Sequence, residues 1–225
     1  MKPATMTSLI IGATLLGGVA HAQVTGRIVH AKGAVAPATL KADKDVAVCG
    51  KKPIPDETLL VHKDGSLANV VVSIDGVPGA AAKASTATID QQACRYQPHV
   101  QAVSVGSSLV MGNSDPLLHN VHAYHGERTV FNAAMPIQNM KLPPKKLDKA
   151  GVVNLKCDAG HTWMSAYIVV KPHSLVAVTG PDGKFSIEGV PAGQYTAELW
   201  HEKLGSKKVP VTVGADGKGT LDVSW

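Results

Sequence analysis

One spacing constrains this chain more than any other. His119, in the run NSDPLLHNVHAY, lies far upstream of three more soft donors, Cys157, His161 and Met164, crowded into KCDAGHTWMSAYIVV. For the four to meet, the fold must bring the start of one strand back beside a single short loop. Two imidazoles, a thiolate and a thioether are the donors of a mononuclear, electron-transfer copper site, with thiolate and imidazoles in a trigonal set and the weak methionine sulfur on its axis. Calcium and magnesium select oxygen donors, and zinc sites rarely use methionine. The alternative is a core methionine, a surface histidine and an inert thiol. The order of all four residues against the strand pattern argues against it.

That strand pattern runs through the chain. Aromatic residues make up only 4% of it, Gly and Pro number 22 and 14, and helix-period patterning is nearly absent, so an all-β protein with many turns is expected. Strands are expected over Val24–His30, Asp45–Cys49, Thr58–His62, Leu67–Ile74, Val100–Val105, Ser108–Met111 and His119–Tyr124. Val152–Cys157 leads into the donor loop and Ser165–Lys171 leads out of it. Met135–Lys149, with three prolines and four lysines, reads as an exposed loop. Its Lys141, Lys145, Lys146 and Lys149 are either simply solvated or a patch for an acidic redox partner. From Val176 onward, hairpins follow in series around Asp182-Gly183, Pro191-Ala192-Gly193 and Ala215-Asp216-Gly217. About 50 residues make a thin β-sandwich on their own, so Val24–His30 is expected to complete that sheet.

The first 22 residues read as a secretory signal peptide: Lys2, the apolar run Leu9 to Val19, and a small-x-small cleavage site at Ala20-His21-Ala22. The apolar run is short of the roughly 20 residues a membrane span needs, and no later segment approaches that length. The mature chain is expected to be exported, to the periplasm. The formal charge of +5 is modest and unclustered, which argues against a nucleic-acid surface. Three cysteines are an odd number for an oxidising compartment. The economical reading pairs Cys49 with Cys94 and leaves Cys157 to bind a metal as its thiolate; the other is a buried thiol, or Cys157 paired with one of the two. His30, His62, His99 and His125 read as exposed, and His201-Glu202 as a surface pair.

From about Leu67 to Lys171 the chain resembles the cupredoxin family of small blue copper proteins, in particular amicyanin and plastocyanin. The residues that carry the likeness are His119-Asn120-Val121-His122, the glycine turn Lys149-Ala150-Gly151 before the cysteine strand, and His161-Thr162-Trp163-Met164. The resemblance implies a Greek-key β-sandwich holding one type 1-like copper ion on His119, Cys157, His161 and axial Met164. It also implies that Asn120 ties the two ligand loops together by hydrogen bonds; a partly exposed His161 edge with Pro116, Leu117 and Trp163 is the expected apolar docking surface for a partner. One departure stands out. Three residues separate Cys157 from His161, where those families have two, and loop length tunes geometry toward blue or green. A dinuclear centre would need a second cysteine in the loop, which is absent. Val176–Val213 resembles the carboxypeptidase regulatory-like, or transthyretin-like, β modules through TGPDGKF and GVPAGQY.

The expected organisation is therefore a leader (1–22), an N-terminal β extension (23–66), a copper domain (67–172) and a small β module (173–225). The expected function is a periplasmic single-electron carrier serving a c-type cytochrome or a periplasmic dehydrogenase. Copper storage or delivery is the first alternative, and a binding module with a vestigial copper site the second. No Ser-His-Asp arrangement, carboxylate pair or phosphate loop speaks for an enzyme.

Overall fold

The computed structural model describes residues 22–36 and 38–225, so the expected leader lies outside the described residues but for Ala22. The chain is almost wholly β. It opens with β1 (Gln23–Val29) and β2 (Thr39–Leu40), then a helical turn α1 (Val46–Cys49), β3 (Ile54–Pro55) and β4 (Val71–Asp75). There follow β5 (Thr86–Gln92), β6 (Arg95–Gln97), β7 (Val100–Ser104), β8 (Ser107–Asn113), β9 (His119–His125), β10 (Arg128–Met135) and β11 (Met140–Leu147). Next come β12 (Gly151–Lys156), β13 (Ser165–Lys171), β14 (Val176–Val178), β15 (Lys184–Glu188), β16 (Gly193–His201), β17 (Gly205–Val213), β18 (Lys218–Thr220) and β19 (Val223–Ser224). Among the described residues no helix is long and apolar enough to cross a membrane.

Two sheets build the part that carries the four donors. One has the order β10-β9-β12-β13-β7 and the other β11-β8-β5-β6. Their facing sides follow the period of two. Ala87, Ile89 and Gln91 of β5, Leu109 and Met111 of β8, Val121 and Ala123 of β9, Val153 and Leu155 of β12, and Ala166, Ile168 and Val170 of β13 are all buried. Each such apolar side chain gains roughly 1.5–3 kcal/mol on burial when large, which sets the register, since a slip by one residue would turn every one of them to solvent.

A second core belongs to the larger sheet, β14-β4-β16-β17-β18-β1-β15 with β19 beside β1. Here β1 runs antiparallel to β15 and parallel to β18. β4 is buried along its first four residues because both its faces are covered. Val70, Val72 and Ile74 enter the second core, and Val71 packs with Val100 and Val169 at the junction with β7 and β13. Residues 71–75 therefore pair with C-terminal strands and not with the donor-bearing sheets.

Three local expectations are corrected. Asp45–Cys49 is not a strand: Asp45 sits in the left-handed region (φ 48°), and the N–H groups of Val48 and Cys49 both bond to its carbonyl. A short apolar run carries too little periodicity to separate a turn of helix from a strand. Residues 135–149 are largely strand, not loop. Pro143 and Pro144 are tolerated because β11 is the edge of its sheet and its pairing with β8 breaks register between Leu142 and Lys145. Thr58–His62 contributes only an isolated bridge at Val61.

Candidate metal centre

Period-two patterning places the donors before any contact is considered. His119 opens β9 on the inward face shared by Val121 and Ala123. Cys157 continues the inward series Val153, Leu155 one step past β12, and Met164 continues Ala166, Ile168, Val170 one step before β13. Because β12 pairs with both β9 and β13, these three positions fall at one end of one sheet face. His161 lies in the connecting loop, where Met164 N–H donates to the His161 carbonyl at 2.9 Å.

The side chains converge. His119 Nδ1 and His161 Nδ1 are 3.0 Å apart, and Cys157 Sγ lies 3.8 Å from the first and 3.6 Å from the second. All three residues are buried. A triangle with these edges has a centre about 2.0 Å from each corner, close to the metal–nitrogen and metal–sulfur bond lengths of roughly 2.0–2.3 Å found in soft-donor sites. Met164 is 2% exposed and belongs to the same core cluster as Cys157. The donor set thus fits one soft transition metal. The arrangement of Cys94, Asp115 and His119 does not offer a second centre, since Cys94 is in a disulfide.

Each imidazole is held from behind by a carboxylate. His119 Nε2 is 3.0 Å from Asp115 Oδ2, and His161 Nε2 is 2.9 Å from Asp45 Oδ2. A carboxylate accepts from an N–H, so both rings are fixed as the Nε2–H tautomer with Nδ1 aimed at the centre. Asp115 is itself anchored by the N–H groups of Ala93 and Cys94 at 2.8 and 2.7 Å. Burial and its partners act on these groups in opposite senses. Burial raises the Asp115 carboxyl, but the His119 hydrogen bond and the two backbone N–H groups outweigh it, and the net direction is down. Burial lowers His119, yet the Asp115 bond and the Cys157 sulfur carry it above the usual value. For His161 burial wins with help from the His119 charge, against the pull of Asp45, and the direction is down.

The loops are tied to one another. Asn120 Oδ1 accepts from the N–H groups of Asp158 and Ala159 at 2.5 and 3.2 Å, and Asn120 Nδ2 donates to Asn132 Oδ1 at 2.7 Å. The Tyr96 hydroxyl donates to the Asn120 carbonyl. Trp163 lays its ring edge-on to His161 at 5.2 Å and donates its indole N–H to the Cys94 carbonyl at 2.9 Å. Pro116 is exposed, while Leu117 and Trp163 are half-buried against the core.

The expectation of a partly exposed His161 edge is overturned: His161 is 0% exposed. The segment around α1 lies over it. Cys49 and Cys94 form a disulfide that fastens this segment, leaving Cys157 free. The Lys44 side chain lies against Gly160, where a Cβ would stand 3.4 Å from it and where φ is +91°. Asp115 and Asp45 were not legible as functional residues. Asp115 stands four residues before His119, a spacing without meaning until Pro116 turns the chain; nothing local links Asp45 to His161, 116 residues away. His99 is also buried, paired with Glu202, and His201 is buried beside Trp225.

No protein-family model and no curated protein matches this sequence. Among solved structures, a purple cupredoxin from Nitrosopumilus maritimus is similar at 20% identity over 38% of this chain and 99% of that one, with TM-score 0.33. An oxidized amicyanin mutant is similar at 22% identity over 44% of this chain and 98% of that one, with TM-score 0.34. The copper-containing nitrite reductase of Thermus scotoductus SA-01 is similar at 18% identity over 43% of this chain and 25% of that one, with TM-score 0.34. Each covers less than half of this chain, and scores at that level assign no family.

Proposed function

We propose that this chain is an exported protein that binds one copper ion through His119, Cys157, His161 and Met164 and passes single electrons between redox proteins. The observation that carries the reading is the convergence of two Nδ1 atoms and one thiol sulfur, all buried, on one point. A thiolate with a thioether nearby selects copper among common metals. Bound there, copper supplies a one-electron couple. The chain's residues hold the donors still: Asp115 and Asp45 fix the rings, and Asn120 joins the two loops. Donors that do not move keep the cost of changing oxidation state small. The burial of all three strong donors keeps water off the ion. The leader pattern and the Cys49–Cys94 disulfide favour an oxidising, periplasmic setting. A c-type cytochrome or periplasmic dehydrogenase is the proposed partner, docking near Pro116, Leu117 and Trp163. The larger sheet is proposed as a separate structural β module joined to the copper unit.

The test is loading with Cu(II). The mature protein should take up one equivalent and show an intense thiolate-to-copper band in the visible, lost in Cys157→Ser. A colourless protein that holds only Cu(I) would instead indicate storage or delivery, and no stoichiometric copper would end the reading.

A further inference from the structure

The segment between β2 and β3 engages a core only through the buried Ala42 and Cys49 and the half-buried Val48. Asp43, Lys44 and Asp45 are exposed, and Val46 is 55% exposed. Yet this polar strap is held at three points, all on the metal centre. Asp45 Oδ2 meets His161 Nε2 at 2.9 Å. The stem of Lys44 covers Gly160, the residue before that histidine. Cys49, whose N–H donates to the Asp45 carbonyl at 2.9 Å, is bonded to Cys94. Cys94 in turn touches both ligand loops: its N–H donates to Asp115, which holds His119, and its carbonyl accepts from Trp163, which packs on His161. A solvated surface loop would carry none of these ties.

We propose that residues 43–50 form a lid over the metal centre, fastened by the Cys49–Cys94 disulfide, with Asp45 as the positioning residue that seals and orients His161. The copper half of this proposal rests on the reading above; the covering of His161 does not. The lid has two consequences. Small ligands and chelators reach the ion only when the strap lifts, so the centre exchanges metal slowly. A redox partner meets the strap, and not the imidazole edge, on this face.

Two measurements with the full mature chain separate the parts. In the copper-free protein, diethylpyrocarbonate labelling of His161, located by peptide mass spectrometry, should rise at least tenfold in Asp45→Ala and in Cys49→Ser/Cys94→Ser. It should stay near the wild-type rate in Asp45→Asn, whose amide oxygen still accepts the Nε2–H, and in Asp43→Ala. His119, held by Asp115 and not by the strap, should gain far less in Asp45→Ala and so reports whether the variant is folded. In the copper-loaded protein, loss of the visible band to EDTA should quicken by a similar factor in Asp45→Ala and be restored by Asp45→Asn. Unchanged His161 labelling in both Asp45→Ala and the cysteine double variant would overturn the lid, even if copper binds with full colour. Raised labelling in a protein that takes up no copper would uphold the lid and end the copper reading.

Discussion

At the residue scale the centre depends on a few groups doing separate jobs. In the proposed copper site Cys157 supplies the one anionic donor, and its loss to Ser should abolish colour while leaving the fold intact, since the side chains are close in size. A thioether is the weakest of the four proposed donors, so Met164→Leu should keep one copper and a visible band but shift the reduction potential, which voltammetry reads; loss of all copper would contradict a weak axial role. Asp115→Asn should cost about 10- to 100-fold in copper affinity, the usual effect of removing a group that orients a ligand histidine. A competition titration against a chelator of known affinity measures it. That His119, Cys157 and His161 converge was legible because thiolate and imidazoles in this order have few other uses. The carboxylates were not, because aspartates occur everywhere on a polar surface and only the folded chain brings two of them to the far nitrogens.

At the element scale, alternation does most of the placing. β9, β12 and β13 each deliver an inward residue at the same end, and the period-two rule alone predicts that once the strands are paired. Strands with clear alternation or β-branched runs were therefore readable, β9, β12 and β13 among them. β11 was not, because proline signals a loop unless one knows that the strand lies at an edge. The α1 strap was misread for a related reason: four residues with an aspartate in a left-handed conformation leave no periodic trace. The disulfide that fastens it spans 45 residues of chain. Cys49→Ser/Cys94→Ser should destabilise the copper-free protein by roughly 4 kcal/mol, through loop entropy restored to the unfolded chain. Chemical denaturation checks this; no loss of stability would mean that the strap is tied by its other contacts alone.

At the scale of the whole molecule, two cores meet across a small apolar junction of Val71, Val100 and Val169, with Tyr167 and Trp200 beside it. A buried polar pair spans the same junction: His99 of the donor-bearing part, bonded also to the Ser165 carbonyl, faces Glu202 from the end of β16. Burial lowers His99, but Glu202 outweighs it and the direction is up. A raised histidine contributes its stability fully below its unfolded value of about 6.5, and that contribution is lost as pH rises through the folded value. Glu202→Gln should therefore cost most below about pH 6.5 and progressively less as pH rises through the raised folded value. Next to it, burial drives His201 down to about 4, with His99, Lys203 and His30 adding to the effect and Glu202 opposing it. Here the sign reverses: the unfolded chain binds the proton first, so stability falls as pH drops from about 6.5 to about 4. His201→Gln should flatten the melting temperature over that window, and an unchanged slope would contradict the assignment. This junction was invisible in the sequence, where both histidines read as surface residues, because it is made by segments about 100 positions apart.

The central claim is that one copper ion sits among His119 Nδ1, His161 Nδ1 and Cys157 Sγ. X-ray absorption at the copper edge of the loaded mature protein tests it most directly. The account predicts a nearest shell of two imidazole nitrogens and one short sulfur, with the sulfur component gone in Cys157→Ser. A shell of nitrogen and oxygen alone in the unmodified protein would contradict it.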